Sequence, residues 1–131
     1  MIFHLVPESE FRAQLDADSY RPTDLAEGGF VHCSTRPALL PVADDYFSDE
    51  TGPLLVLEID ATQLVAEVRY EAAAPMAGAG FSHLDSAPEF PHIYGPVMRK
   101  AIRRVGVLSR TPEGFQWPTT FLALAPFLAR S

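Results

Sequence analysis

The sequence predicts a single α+β domain in which strands outnumber helices. Three observations carry this: a length of 131 residues, several short apolar runs separated by turn residues, and only brief stretches with helical spacing. Short helices join the early strands and the later strands look like hairpin partners, so a mixed sheet structure fits better than a doubly wound parallel sheet. No glycine loop of a phosphate-binding type opens a helix after a strand; Gly78 and Gly80 sit in a stretch with neither neighbour.

Ile2 to Val6 reads as a strand ended by Pro7, and Phe11 and Leu15 recur at a spacing of four, as a short amphipathic helix places them. After a polar, Asp-containing stretch, Gly28 and Gly29 introduce a second strand, Phe30-Val31-His32-Cys33. Ser34 or Thr35 can cap the next helix, which tolerates Pro37 in its first turn and puts Leu39, Leu40, Ala43 and Phe47 on one side. A turn at Asp49 to Pro53 leads into Leu54 to Ile59, apolar enough to be a strand buried on both faces.

A helical turn is expected at Ala61 to Val65, followed by a half-wet strand at Val68-Arg69-Tyr70-Glu71. Residues 72–88 are rich in Ala, Gly, Pro and Ser, the composition and length of a lid or binding loop. Phe90 to Tyr94 reads as a strand. Ala101 to Ser109 and Phe115 to Trp117 read as a hairpin around Thr111-Pro112-Glu113-Gly114. Residues 1–118 then make one domain, and the apolar segment in 119–131 covers its core or packs on a partner subunit.

Composition narrows the function. The net charge is -7, and residues 1–71 hold 14 of the 17 acidic residues but only four of the ten basic ones. An acidic chain is a poor nonspecific nucleic-acid binder, because phosphate backbones demand a basic surface. The basic cluster Arg99, Lys100, Arg103, Arg104 and Arg110 reads first as a solvated face that could still touch one small anion. A single cysteine, Cys33, excludes an internal disulfide and suits a reducing compartment. Met1 runs straight into an apolar strand without a basic leader, and the longest apolar stretch, Phe121 to Ala129, is too short to span a bilayer; a cytoplasmic location without membrane partners is expected.

Candidate chemistry centres on histidine. His4, His32 and His92 each fall in a short hydrophobic strand, where imidazole offers one donor and one acceptor and can hold a hydroxyl, amide or phosphate or act as acid or base. They could equally be three satisfied structural histidines. Together with Asp85, Glu71 or Glu89 they could also bind zinc or iron, although none has the close spacing of a helical ligand pair. Cys33 beside His32 points to the opposite face of its strand and reads as a small buried apolar residue rather than half of a thiol–imidazole dyad. Ser34 shares the His32 face, where its hydroxyl either touches the same ligand or caps the helix. Arg69 and Glu71 share a face of their strand, either as solvated residues or as the lining of a polar cleft. In Glu89-Phe90-Pro91-His92-Ile93-Tyr94-Gly95-Pro96, two prolines and a glycine fix the chain while His92 and Tyr94 project together, which suits the floor of a site.

Phe3-His4-Leu5, Gly29-Phe30-Val31-His32-Cys33-Ser34-Thr35, Leu55-Val56-Leu57-Glu58-Ile59-Asp60, Arg69-Tyr70-Glu71 and Phe90-Pro91-His92-Ile93-Tyr94-Gly95-Pro96, in this order, resemble the bacterial family catalogued as domain of unknown function 952, over about residues 2–118. That family in turn resembles the ADP-ribosyltransferase fold, especially the RNA 2'-phosphotransferases, with a histidine in the first strand and a V-H-hydrophobic-S segment in the next. The resemblance implies a split β-sheet sandwich with short flanking helices. It implies NAD or an ADP-ribose-like nucleotide as the bound small molecule, His4, His32 and His92 in catalytic positions, and His4, His32, Ser34, Arg69, Glu71 and Tyr94 around the cofactor. Toxin-type members carry a glutamate in the third motif, where this chain offers His92 or Ile93; phosphotransferases grip a phosphate with arginines, for which Arg36 and Arg69 are the candidate substitutes in this chain. Three function classes follow: a transferase acting on NAD, a noncatalytic metabolite-binding module, and a metal-dependent enzyme using the histidines.

Overall fold

The computed structural model describes residues 1–72 and 89–130. Its architecture is α+β: eleven short strands among the described residues, all paired antiparallel, and four short helices. The loop expected at 72–88 lies outside the described residues except for Ala72, which ends a strand.

Strand β1 (Ile2–Pro7) is buried throughout and pairs with β4 (Leu54–Ile59). β4 pairs on its other side with β8 (Ile102–Val107), which pairs with β11 (Phe121–Ala123), giving a four-stranded sheet in the order β1-β4-β8-β11. Alternation along these strands separates two cores. Phe3, Leu5, Leu54 and Val56 turn outward onto Leu39 and Ala43 of helix α3 (Arg36–Tyr46) and onto Phe115. Ile2, Val6, Leu55, Leu57, Ile59 and Val105 turn inward, where they share a core with Val31, Cys33 and Ile93. Those last residues belong to or adjoin a second sheet of β3 (Val31–His32), β6 (Glu89–Ile93) and β5 (Val68–Ala72), in the order β3-β6-β5. β4 therefore has both faces covered, which explains its nearly continuous apolar sequence.

The two sheets are joined where it matters for the site. Just past β3, Ser34 bridges Phe3 of β1, with Ser34 N–H donating to the Phe3 carbonyl at 2.7 Å and Phe3 N–H donating back at 2.9 Å. This bridge sets His4 beside the His32 backbone. Upstream, helix α2 (Thr23–Gly28) ends at Gly29, whose φ of 88° is the left-handed value glycine adopts without a Cβ penalty and whose N–H closes onto the Leu25 carbonyl. That turn delivers Phe30 and His32 to the sheet.

Several expectations are revised. The polar stretch before Gly28 contains β2 (Ser19–Tyr20) as well as α2, and β2 pairs with β7 (Val97–Met98). β8 does not fold back on residues 115–117, because its partners are β4 and β11; the hairpin is the smaller β9 (Ser109–Thr111) with β10 (Gly114–Gln116). The turn after β4 is a 3₁₀ turn at Ala61–Gln63. Helix α1 (Glu8–Gln14) buries Phe11 as its spacing required, and α3 begins after Thr35, with no side chain capping it. The C-terminal apolar segment divides into β11 and helix α4 (Leu124–Leu128), whose Phe127 is buried in the inner core. Among the described residues no helix is long and apolar enough to cross a membrane.

Candidate functional site

A cleft of about 290 Å³ opens between the second half of β1, α1, α2, β3, the end of α3 and β6. His4, His32, Ser34 and His92 all line it, together with Tyr20, Asp24, Glu10, Glu27 and Gln14, and its apolar walls come from residues such as Leu5, Val42, Phe47 and Phe90. Among the described residues, no Lys or Arg lines it.

His4 forms the base. Its Nδ1 lies 2.6 Å from the His32 carbonyl oxygen, an acceptor only, so Nδ1 carries the proton. Nε2 then accepts from the Tyr20 hydroxyl at 2.8 Å. Burial lowers the proton affinity of this imidazole, against the nearby Asp24 charge and the bond to His32, and so favours the neutral ring whose Nε2 accepts from Tyr20. Tyr20 is held in turn by an edge-on contact with Phe11. Burial drives the Tyr20 hydroxyl well above the ordinary phenol range.

His32 stands over this base. One carboxylate oxygen of Asp24 accepts from both the His32 backbone N–H and the ring Nδ1–H, each at 2.9 Å. Burial pushes the Asp24 carboxyl upward, but the hydrogen bonds from His32 and the nearby His4 outweigh it and leave the carboxyl below its ordinary value. The other ring nitrogen, Nε2, is buried and has no hydrogen-bond partner among the described residues; the same is true of Oε1 of Gln14 in the same cleft. Such atoms are uncommon in folded proteins because each costs desolvation with nothing in return.

His92 sits directly across from His32 in the β3–β6 register, with the two rings 5.6 Å apart and edge to face. Phe30 stacks on His92 at 4.1 Å and also contacts His32 and Tyr94. Nδ1 of His92 donates to Glu71 at 2.8 Å, and the Tyr94 hydroxyl donates to the same carboxylate oxygen. The bond from Tyr94, then that from His92, holds the Glu71 carboxyl below its ordinary value, while Glu71 in turn raises the Tyr94 hydroxyl.

The seven residues singled out in the sequence thus fall into two groups. His4, His32, Ser34 and His92 converge on the cleft; Arg69, Glu71 and Tyr94 adjoin it from behind His92 and do not line it. Arg69 pairs with Glu67 and lies over the Tyr94 ring at 4.5 Å, and Arg36 lies over Trp117 at 4.2 Å. Ser34 makes its contacts to β1 through the backbone, and its side chain does not cap α3. Cys33 is buried in the inner core, and burial pushes its thiol up. The basic cluster lies elsewhere: Arg104 forms a two-pronged pair with Glu58, Arg103 faces Asp60, and Arg99 and Arg110 bond backbone carbonyls. Among the described residues, no three His, Cys, Asp or Glu side chains are grouped to hold a metal ion.

Tyr20 and Asp24 were not singled out in the sequence. Each lies in a polar stretch without periodicity, and only the pairing of β2 with β7 and the brief α2 bring them under the histidines. The pairing of Asp24 with a histidine eight positions later carries no motif of its own.

Comparison with solved structures finds the same fold in two crystal structures of protein CC0527 from Caulobacter crescentus, one of them a double mutant. They are 23% and 22% identical to this chain, cover 88% of it and 92% of their own length, and give a TM-score of 0.67. No curated protein matches. The family model described as protein of unknown function, DUF952, matches residues 5–105, a span that includes His32, His92, Tyr20 and Asp24, and the chain belongs to that family.

Proposed function

We propose that this chain is a cytoplasmic nucleotide-binding domain of the ADP-ribosyltransferase type, and that its cleft takes the nicotinamide–ribose end of NAD. The supporting observation is the charge of the cleft: His32, Ser34 and His92 share it with Glu10, Asp24 and Glu27, without a Lys or Arg among the described lining residues. The nicotinamide–ribose end of NAD is a pyridinium cation with ribose hydroxyls, which suits carboxylates and an imidazole acceptor; a diphosphate does not. A volume of about 290 Å³ lies at the small end for ligand pockets and suits a nucleoside-sized portion, so the ADP half extends outside.

The same charge favours transferase chemistry. As the bond from the ribose anomeric carbon to nicotinamide breaks, its electron pair leaves on the now neutral nicotinamide and positive charge develops on the sugar. Glu10 and Glu27 would stabilise that charge, and the nucleophile of an acceptor would complete the transfer. A second reading, a binding module without turnover, is favoured by Glu71: the carboxylate nearest the third motif is occupied by His92 and Tyr94.

Calorimetric titration with NAD and with ADP-ribose tests the proposal. Wild-type protein should bind NAD more tightly than ADP-ribose, and His32→Ala should lose at least about tenfold in NAD affinity, the effect of one lost hydrogen bond and its packing. No heat from either ligand overturns the nucleotide reading. Chromatographic detection of released nicotinamide then separates a transferase from a module that binds without turnover.

A further inference from the structure

We infer that Asp24 is a positioning residue: by holding the Nδ1–H of His32 it fixes the tautomer in which Nε2 presents a lone pair to a hydrogen-bond donor of the cleft's ligand, such as an alcohol, a carboxamide or a protonated amine. The inference rests on the cleft being a ligand site, as in the reading above, but not on NAD being the ligand.

The argument is geometric. A carboxylate only accepts, so Nδ1 of His32, 2.9 Å from Asp24 Oδ2, must be the protonated nitrogen. In the neutral ring Nε2 is then an acceptor. The same Asp24 oxygen also takes the His32 backbone N–H at 2.9 Å, so carboxylate, backbone and ring are held by one atom and the ring cannot turn without breaking the pair. Nε2 is buried without a partner, and its residue lines the cleft. The groups packed nearest do not satisfy it: His4 spends Nδ1 on the His32 carbonyl and Nε2 on Tyr20, His92 directs Nδ1 to Glu71, and Phe30 offers only a ring face.

A lone-pair acceptor of fixed orientation selects for a ligand that donates. Carboxylate–imidazole pairs in which the acid sets the tautomer and the distal nitrogen meets the substrate are a general solution for orienting an imidazole. Here the distal nitrogen would accept a ligand proton in a hydrogen bond, or take it fully where a bound hydroxyl must be activated, with the resulting imidazolium stabilised by Asp24.

Imidazole nitrogen NMR on the ¹⁵N-labelled full chain at alkaline pH decides the question. In wild-type protein His32 should show a protonated Nδ1 and an unprotonated Nε2. In Asp24→Ala the one oxygen that accepts both the backbone N–H and Nδ1–H is gone, so the ring should lose the Nδ1-protonated form in favour of protonated Nε2. A wild-type ring protonated at Nε2, or a tautomer unchanged in Asp24→Ala, overturns the inference, and the wild-type result stands by itself should the variant not fold. Added NAD separates the two readings: absence of NAD binding to wild type overturns the nucleotide proposal and leaves the tautomer to decide this one. If NAD binds, Asp24→Ala should weaken it about tenfold or more, since protonated Nε2 then faces a ligand donor.

Discussion

The Tyr20 hydroxyl donates to Nε2 of His4 at 2.8 Å, and this bond ties β2 to β1 beneath the cleft. Both side chains are buried, and His4 passes the connection on through Nδ1 to the His32 carbonyl, so the floor of the cleft is a hydrogen-bonded chain from Tyr20 to His32. Tyr20→Phe keeps the ring that packs on Phe11 but leaves an imidazole nitrogen buried without a donor. The expected cost is about 1–3 kcal/mol. For a domain of this size that lowers Tm by several degrees, readable by calorimetry; an unchanged Tm would show that Tyr20 is held by packing alone.

Acidity should expose the same residue. His4 has its proton affinity lowered by burial, so between its folded value and about 6.5, where it titrates when unfolded, the unfolded chain binds more protons than the folded one. Stability is therefore complete above about pH 6.5 and falls as the pH drops below it, by at most about 1.4 kcal/mol per pH unit for this one proton. Asp24, Glu58 and Glu71, whose values lie below the ordinary carboxylate range, release their stabilisation only at lower pH, so the upper part of the slope belongs to imidazole. Chemical denaturation across this range should give a flatter profile for His4→Gln than for wild type. Equal slopes in the two proteins would refute the assignment.

Behind His92, the shared Glu71 oxygen makes a spectroscopic prediction. Tyr94 is raised first by its bond to that carboxylate, so Glu71→Gln should return the Tyr94 hydroxyl toward the ordinary tyrosine value of about 10. NMR titration of ring-labelled tyrosine follows Tyr94 separately from Tyr20, Tyr46 and Tyr70. An unmoved Tyr94 midpoint would mean that the bond is not formed in solution.

How much of this was legible in the sequence depends on how local each signal is. The short apolar run of β1 and the nearly continuous apolar run of β4 report burial along each strand, and both strands form where those patterns put them. His32 and His92 could be placed on strands from their neighbours, but their juxtaposition is a property of register: β3 aligns His32 with His92 across 59 intervening positions of chain order that no local pattern encodes. β8 shows the same limit from the other side. Proximity in sequence favoured pairing with residues 115–117, whereas β8 pairs with β4 on one side and β11 on the other, and Leu108 N–H extends the first pairing to the Leu54 carbonyl. Asp24 is the extreme case, since a solvated loop aspartate and a histidine-orienting one look alike until the fold places His32 beside it.

The C-terminal helix offers the clearest test of how the cleft is supported from below. α4 has five residues, too few to persist alone, so its stability must come from packing. Phe127 supplies that packing: it is buried in the inner core, lies 6.3 Å from Phe11 of α1, and is flanked by the guanidinium of Arg12 at 4.9 Å from its ring. Phe11 in turn contacts Tyr20, the donor to His4, so α4 and the cleft floor share one run of aromatic contacts. Phe127→Ala should cost about 3–5 kcal/mol in equilibrium unfolding, as large-to-small changes at buried aromatic positions do. The loss should appear as a lower denaturation midpoint with an unchanged slope, the sign of weaker stability without a change in the surface exposed. A loss below about 1 kcal/mol, in the range of exposed-site substitutions, would mean that α4 undocks without the core and that the floor of the cleft stands without it.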